Sequence, residues 1–125
     1  MENKKIKSFT DLIAWQEGHQ LVLEIYRLIK EFPKEERFGL ASQISRAAVS
    51  VTSNIAEGFS RKSDKEKIQF YHNALGSLTE LQNQLLIAKD IKYISREDFS
   101  KTAEQSVQIH KLINGLIKSL KSKSA

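Results

Sequence analysis

The sequence predicts an all-α protein, a single antiparallel four-helix bundle, and three observations carry that expectation. One proline and five glycines in 125 residues leave little to interrupt a helix. Strong helix formers fill the long windows between those few breakers. Four apolar series recur at alternating spacings of three and four, the period of a helix with one buried stripe. A chain of this length makes one domain around one core, so residues 1–125 are read as a single unit.

The first helix is expected over 11–32, with Leu12, Trp15, His19, Val22, Tyr26 and Ile29 on its stripe and Pro33 as its stop. Leu21, Ile25, Leu28 and Phe32 widen that stripe, as packing against two neighbours requires. The second is expected over 36–58, with Leu40, Ile44, Ala47, Ala48, Val51 and Ile55 inward and Gly58 as a left-handed stop. From Phe38 onward only Arg46 and Glu57 are charged before the closing Arg61. A helix so weakly polar around its circumference is covered on more than one side, so this segment should serve both the core and a contact with another chain.

Ser63-Asp64-Lys65-Glu66 has the pattern of a capping box and opens a third helix over 63–90, carrying Tyr71, Leu75, Leu78, Leu81, Leu85 and Ala88. Ser95, with Glu97 and Asp98 in the following turn, opens a fourth over 95–121, whose apolar series is Phe99, Ala103, Val107, His110, Ile113, Ile117 and Leu120. Connections this short favour antiparallel neighbours, hence up-down-up-down threading.

Zero cysteines exclude disulfides, thiolate metal sites and cysteine nucleophiles, and fit the reducing cytoplasm, where the chain is expected to work. The polar stretch after Met1 contains no apolar run, so neither a secretory signal nor a membrane span is expected.

Threading turns a modest net charge of +5 into an asymmetry. One end of the bundle gathers both chain termini and the turn between the second and third helices. It collects Lys4, Lys5, Lys7, Arg61, Lys62, Lys65, Lys67, Lys118, Lys121 and Lys123 against Glu2, Asp11, Glu57, Asp64 and Glu66. Basic and acidic residues balance at the opposite end and in the middle, so the whole formal charge sits at one pole. Such a pole attracts phosphates and releases their counterions, which points to salt-sensitive binding of RNA or DNA. Nine lysines and one arginine act as point charges rather than as bidentate readers of base edges. The bland alternative is a pole that confers solubility, on a module whose partner is another protein.

Several stretches also carry a resemblance: Phe9-Thr10-Asp11-Leu12, Trp15-Gln16, Phe32-Pro33, Arg46-Ala47-Ala48-Val49-Ser50, Ser53-Asn54-Ile55-Ala56-Glu57-Gly58 and Gly76-Ser77. With these the chain resembles the proteins encoded in intervening sequences of bacterial 23S ribosomal RNA genes. The resemblance spans nearly the whole chain. It implies a left-handed four-helix bundle that assembles as a homopentamer, and it implies nucleic-acid association through a related branch, the accessory protein of diversity-generating retroelements. It brings no catalytic residues and no cofactor.

Gln43, Arg46, Ser50, Asn54 and Glu57 form a polar strip on the second helix, read as a structural or interface network because a buried polar group left unmatched costs about 1–3 kcal/mol. Glu57 is also spaced to pair with Arg61. His19 and His110 lie on stripes of neighbouring helices, but no Glu-x-x-His motif accompanies them, so they are read as hydrogen-bonded histidines and no metal is expected. Trp15, Tyr26, Phe70 and Tyr71 have rings able to stack on bases, yet their helical spacing assigns them to core or contact. Asp64 and Glu66 are read as helix-start residues rather than as nuclease ligands; a hydrolase built on Glu57 and Asp64 is the remaining enzymatic reading, and no enzyme is expected.

Overall fold

Ser8 begins the folded path. In the computed structural model, which describes residues 5–124, its hydroxyl accepts from the Thr10 amide while the Asp11 carboxylate accepts from the Ser8 amide. This complete capping box winds a 3-10 turn, Phe9–Asp11. Leu12 is extended, and helix α1 (Ile13–Ile29) starts after it, two residues later than the apolar pattern suggests. The chain leaves α1 at Lys30, and Pro33 enters a second 3-10 turn, Lys34–Glu36. Helix α2 (Leu40–Ser60) begins where a Glu36 carboxylate oxygen accepts from the Leu40 amide at 3.1 Å. The other Glu36 oxygen accepts from the Tyr93 hydroxyl at 2.9 Å, tying the start of α2 to the turn between the last two helices.

Helices α3 (Asp64–Asp90) and α4 (Arg96–Ser124) run close to their expected limits. Ser63 accepts from the Glu66 amide, but the Glu66 carboxylate bonds the Ser63 hydroxyl rather than its backbone amide, so the expected reciprocal box is half formed. Ser95 accepts from the Asp98 amide as expected.

Each helix packs on its two sequence neighbours, α1 closes the ring on α4, and the diagonal pairs do not touch among the described residues. Neighbours are antiparallel: Gly18 near the start of α1 meets Thr52 and Ile55 near the end of α2, and Arg27 near the end of α1 reaches Asp98 at the start of α4. Ser50 and Ser77 bond at 2.8 Å across α2 and α3, and Gln82 donates to Ser106 at 3.0 Å across α3 and α4. These two contacts fix the register used below.

The core differs from expectation by a rotation of two helices. On α1 the buried line is Ala14, Gly18, Leu21, Ile25 and Leu28, while Trp15, His19, Val22 and Ile29 are half-buried and Tyr26 is exposed. On α4 Thr102, Ser106, Ile109, Ile113 and Ile117 face inward, and Val107 is exposed. Thr102 and Ser106 satisfy their hydroxyls on carbonyls of their own helix, which lets polar residues occupy a buried line.

Gly58 is not a helix stop. It is a buried, right-handed residue inside α2, and a Cβ there would come 2.7 Å from Cε1 of Tyr71. The left-handed residue is Lys92 instead, at φ 68°. There the Tyr93 amide donates to the Ala88 carbonyl and the Lys92 amide to that of Lys89, closing α3 with a Schellman turn. Among the described residues no helix is long and apolar enough to cross a membrane.

Candidate nucleic-acid interface

The turn between α2 and α3 is held by its own cations. α2 ends at Arg61, whose extended backbone makes room for the Ser63 cap. The Arg61 guanidinium lies 4.6 Å from the Phe70 ring centre and 3.2 Å from the Glu57 carboxylate, the pairing its spacing predicts. Lys67 Nζ donates to the Phe59 carbonyl at 2.6 Å, where the end of α2 presents unpaired oxygens. Two of the ten proposed contact residues therefore hold the turn together.

The others stand away from acids. Lys62 and Lys65 on this turn, Lys5 and Lys7 before α1, and Lys118, Lys121 and Lys123 on α4 are all exposed. None of these seven is in an ion pair among the described residues. Lys4 lies outside the described residues. Counting from the Gln82–Ser106 bond brings Lys121 level with Lys67 and Lys123 level with Lys65 on adjacent helices. The start of α1 lies against the end of α2, and the 3-10 turn before it touches both helices, which brings Lys5 and Lys7 to the same end.

The surface is convex and lysine-rich, without a cradle of converging amides. Its one shallow concavity among the described pockets is lined by Glu57, Ser60, Arg61, Lys62 and Glu66. The two carboxylates there balance the two cations, so anion attraction rests on the exposed lysines around it.

The polar strip of α2 is only partly brought together. Ser50 bonds Ser77, and Asn54 Nδ2 donates to the Ser50 carbonyl at 2.8 Å and hydroxyl at 3.1 Å, a small network at the α2–α3 seam. Glu57 belongs to the turn, accepting from Ser60 and Arg61, while Gln43 and Arg46 are exposed. The two histidines have separate partners: His19 stacks on Trp15 at 4.7 Å, and Asn114 bonds His110. No group of three or more metal-ligating side chains occurs among the described residues. Of the four aromatics weighed for stacking, Trp15 also meets Phe9, Phe70 lies under Arg61, and Tyr71 is buried against Gly58.

Shifted ionisation is found elsewhere. The Arg27 hydrogen bond holds the Glu24 carboxyl below its usual range, and Glu24 in turn raises Arg27, at the α1–α4 seam. Hydrogen bonding to Glu36, and then burial, raises the Tyr93 phenol, and burial alone raises that of Tyr71.

Reading the sequence missed the apolar surface. Phe38, in the turn before α2, is 88% exposed, and Leu86 and Val107 stand out of the α3–α4 side. The signal was an apolar series broader than one buried stripe needs.

Comparison with known proteins follows from this geometry. Residues 10–115 match the family model for the 23S rRNA-intervening sequence protein. The fold is similar to a crystal structure of a protein of unknown function from the S23 ribosomal protein family of Bacteroides thetaiotaomicron. That likeness has 25% identity and a TM-score of 0.79, covering 85% of this chain and 99% of the other. No curated protein matches the chain.

Proposed function

The chain belongs to the 23S rRNA-intervening sequence protein family, and on that premise we propose that it is a non-enzymatic oligomeric scaffold that binds RNA or DNA through its lysine-rich pole. The supporting observation is the gathering of exposed, acid-free lysines from three separate elements, Lys62 and Lys65, Lys118 to Lys123, and Lys5 with Lys7. Point charges on flexible stems attract phosphate without reading sequence, so binding is electrostatic and tolerant of base identity. Assembly as a ring of five in the cytoplasm, as the family resemblance implies, would set the poles of several copies on one rim and add their fields.

The test is charge reversal at lysines free of structural duty. A Lys62→Glu, Lys65→Glu, Lys121→Glu variant should bind nucleic acid at least tenfold more weakly at low salt while its mass in solution stays that of the parent. Unchanged affinity would remove the pole from the account.

A further inference from the structure

The four lateral faces of the bundle alternate in character. Between α1 and α4 the surface carries Glu17, Glu24, Arg27, Asp98, Lys101 and Glu104. Between α2 and α3 it carries the Ser50–Asn54–Ser77 network. The other two faces, which lie on opposite sides of the bundle, are apolar.

The α1–α2 face presents Tyr26 at 47% exposure and Phe38 at 88%, beside a groove continued by Ile29, Ser42 and Ser45, with Val49 further along. The α3–α4 face contains a groove of about 190 Å³ lined by Leu85, Leu86, Phe99, Ala103 and Val107 together with Gln82. An almost fully exposed phenyl ring is a costly feature to leave in water, and an apolar slot able to hold one ring is its natural complement. The slot has no formal charge in its lining, and the strip from Tyr26 to Val49 has none until Lys30, Lys34 and Arg37 at its end, so the two surfaces match in charge as well. Neither would strand a charge on burial.

Height decides which copies can meet. Counting outward from the Ser50–Ser77 and Gln82–Ser106 bonds puts Phe38 at the level of Lys89 and Phe99, two residues that also meet, at 4.7 Å. The knob and the slot therefore stand at one height on opposite sides of the molecule. A cyclic operation about an axis parallel to the bundle preserves height, so one copy's knob meets the next copy's slot.

We infer that a second copy of this chain occupies the α3–α4 groove, inserting Phe38 from its α1–α2 face in a head-to-tail, heterologous contact. The inference rests on the self-association in the preceding reading and adds its geometry. It leaves the lysine pole uncovered, because both surfaces lie toward the other end of the bundle.

Mass in solution tests it with two variants, Phe38→Asp and Val107→Asp, each at an exposed site and each checked for an unchanged unfolding temperature. The parent should be larger than its 14.3 kDa chain, and each variant alone should fall to one chain. Mixed in equal amounts they retain one intact knob and one intact slot between them, so the mixture should give a species of twice the chain mass and nothing larger. A monomeric parent, variants that keep the parent's mass, or a mixture that stays monomeric would each overturn the inference. Tyr26→Lys with Leu86→Asp repeats the design should either first variant fail to fold. Nucleic-acid binding measured on the monomeric variants separates this failure from that of the lysine pole, since the pole requires binding to persist, weakened, at low salt.

Discussion

At the scale of single residues, two backbone positions decide more than their neighbours. In a free helix an alanine would beat Gly58 by about 1 kcal/mol on propensity. Here its Cβ would meet the Tyr71 ring at 2.7 and 2.9 Å, and overpacking of that kind costs about 1–3 kcal/mol. The clash should win, so Gly58→Ala should lower stability in urea unfolding by about 1–2 kcal/mol. Lys92 presents the opposite case. A non-glycine residue in the left-handed region costs about 1–2 kcal/mol, offset in part by glycine's greater entropy when unfolded. Lys92→Gly should therefore stabilise the protein by about 0.5–1 kcal/mol in the same measurement.

Tyr93 adds a pH dependence whose sign follows from its raised pKa. The protonated phenol donates to Glu36, so its contribution is complete below the ordinary tyrosine value of about 10 and is lost as pH rises through the higher folded value. Tyr71, raised by burial, acts in the same direction. The unfolding temperature should hold through neutral and mildly alkaline pH and fall above about pH 10. Tyr93→Phe should be less stable at pH 7 by about 1 kcal/mol and show a shallower alkaline decline.

At the scale of elements, the α2–α3 seam is the tightest in its chemistry. Small residues, Ala47, Ala48 and Gly58, let the helices approach, and Ser50 with Ser77 fixes their register by one half-buried hydroxyl pair. A double-mutant cycle on Ser50→Ala and Ser77→Ala should give a coupling of about 0.5–1 kcal/mol, whereas a cycle pairing Ser77 with exposed Gln43 should give none.

The elements also show what sequence could and could not convey. The limits of α3 and α4 were legible because serine caps and acidic first turns are local chemistry. The α1 seam was not, since two adjacent stripes of that helix are both apolar and periodicity alone cannot tell the buried one from its flank. Ala14 and Gly18 mark the true seam by being small, a cue that has meaning only once Thr52 is known to lie opposite. Gly58 was misjudged for a similar reason, as glycine serves both left-handed stops and close helix approaches. Lys67 belonged to the legible pole by charge, but its bond to the Phe59 carbonyl depends on how the turn folds back.

At the scale of the whole molecule, antiparallel threading does what no single residue does. It separates a lysine-rich end from two opposed apolar faces near the other end, so that binding a polyanion and binding a second copy use different surfaces. Disrupting one should spare the other, which sets this account apart from one in which assembly itself depends on nucleic acid.

The most direct test of the central claim is the salt dependence of affinity for a labelled duplex DNA, followed by fluorescence anisotropy. The account predicts that the logarithm of affinity falls linearly with the logarithm of salt concentration, and that the slope shrinks by about 0.9 for each phosphate-contacting lysine removed from the pole. Affinity that is absent at low salt, or indifferent to added salt, would contradict it.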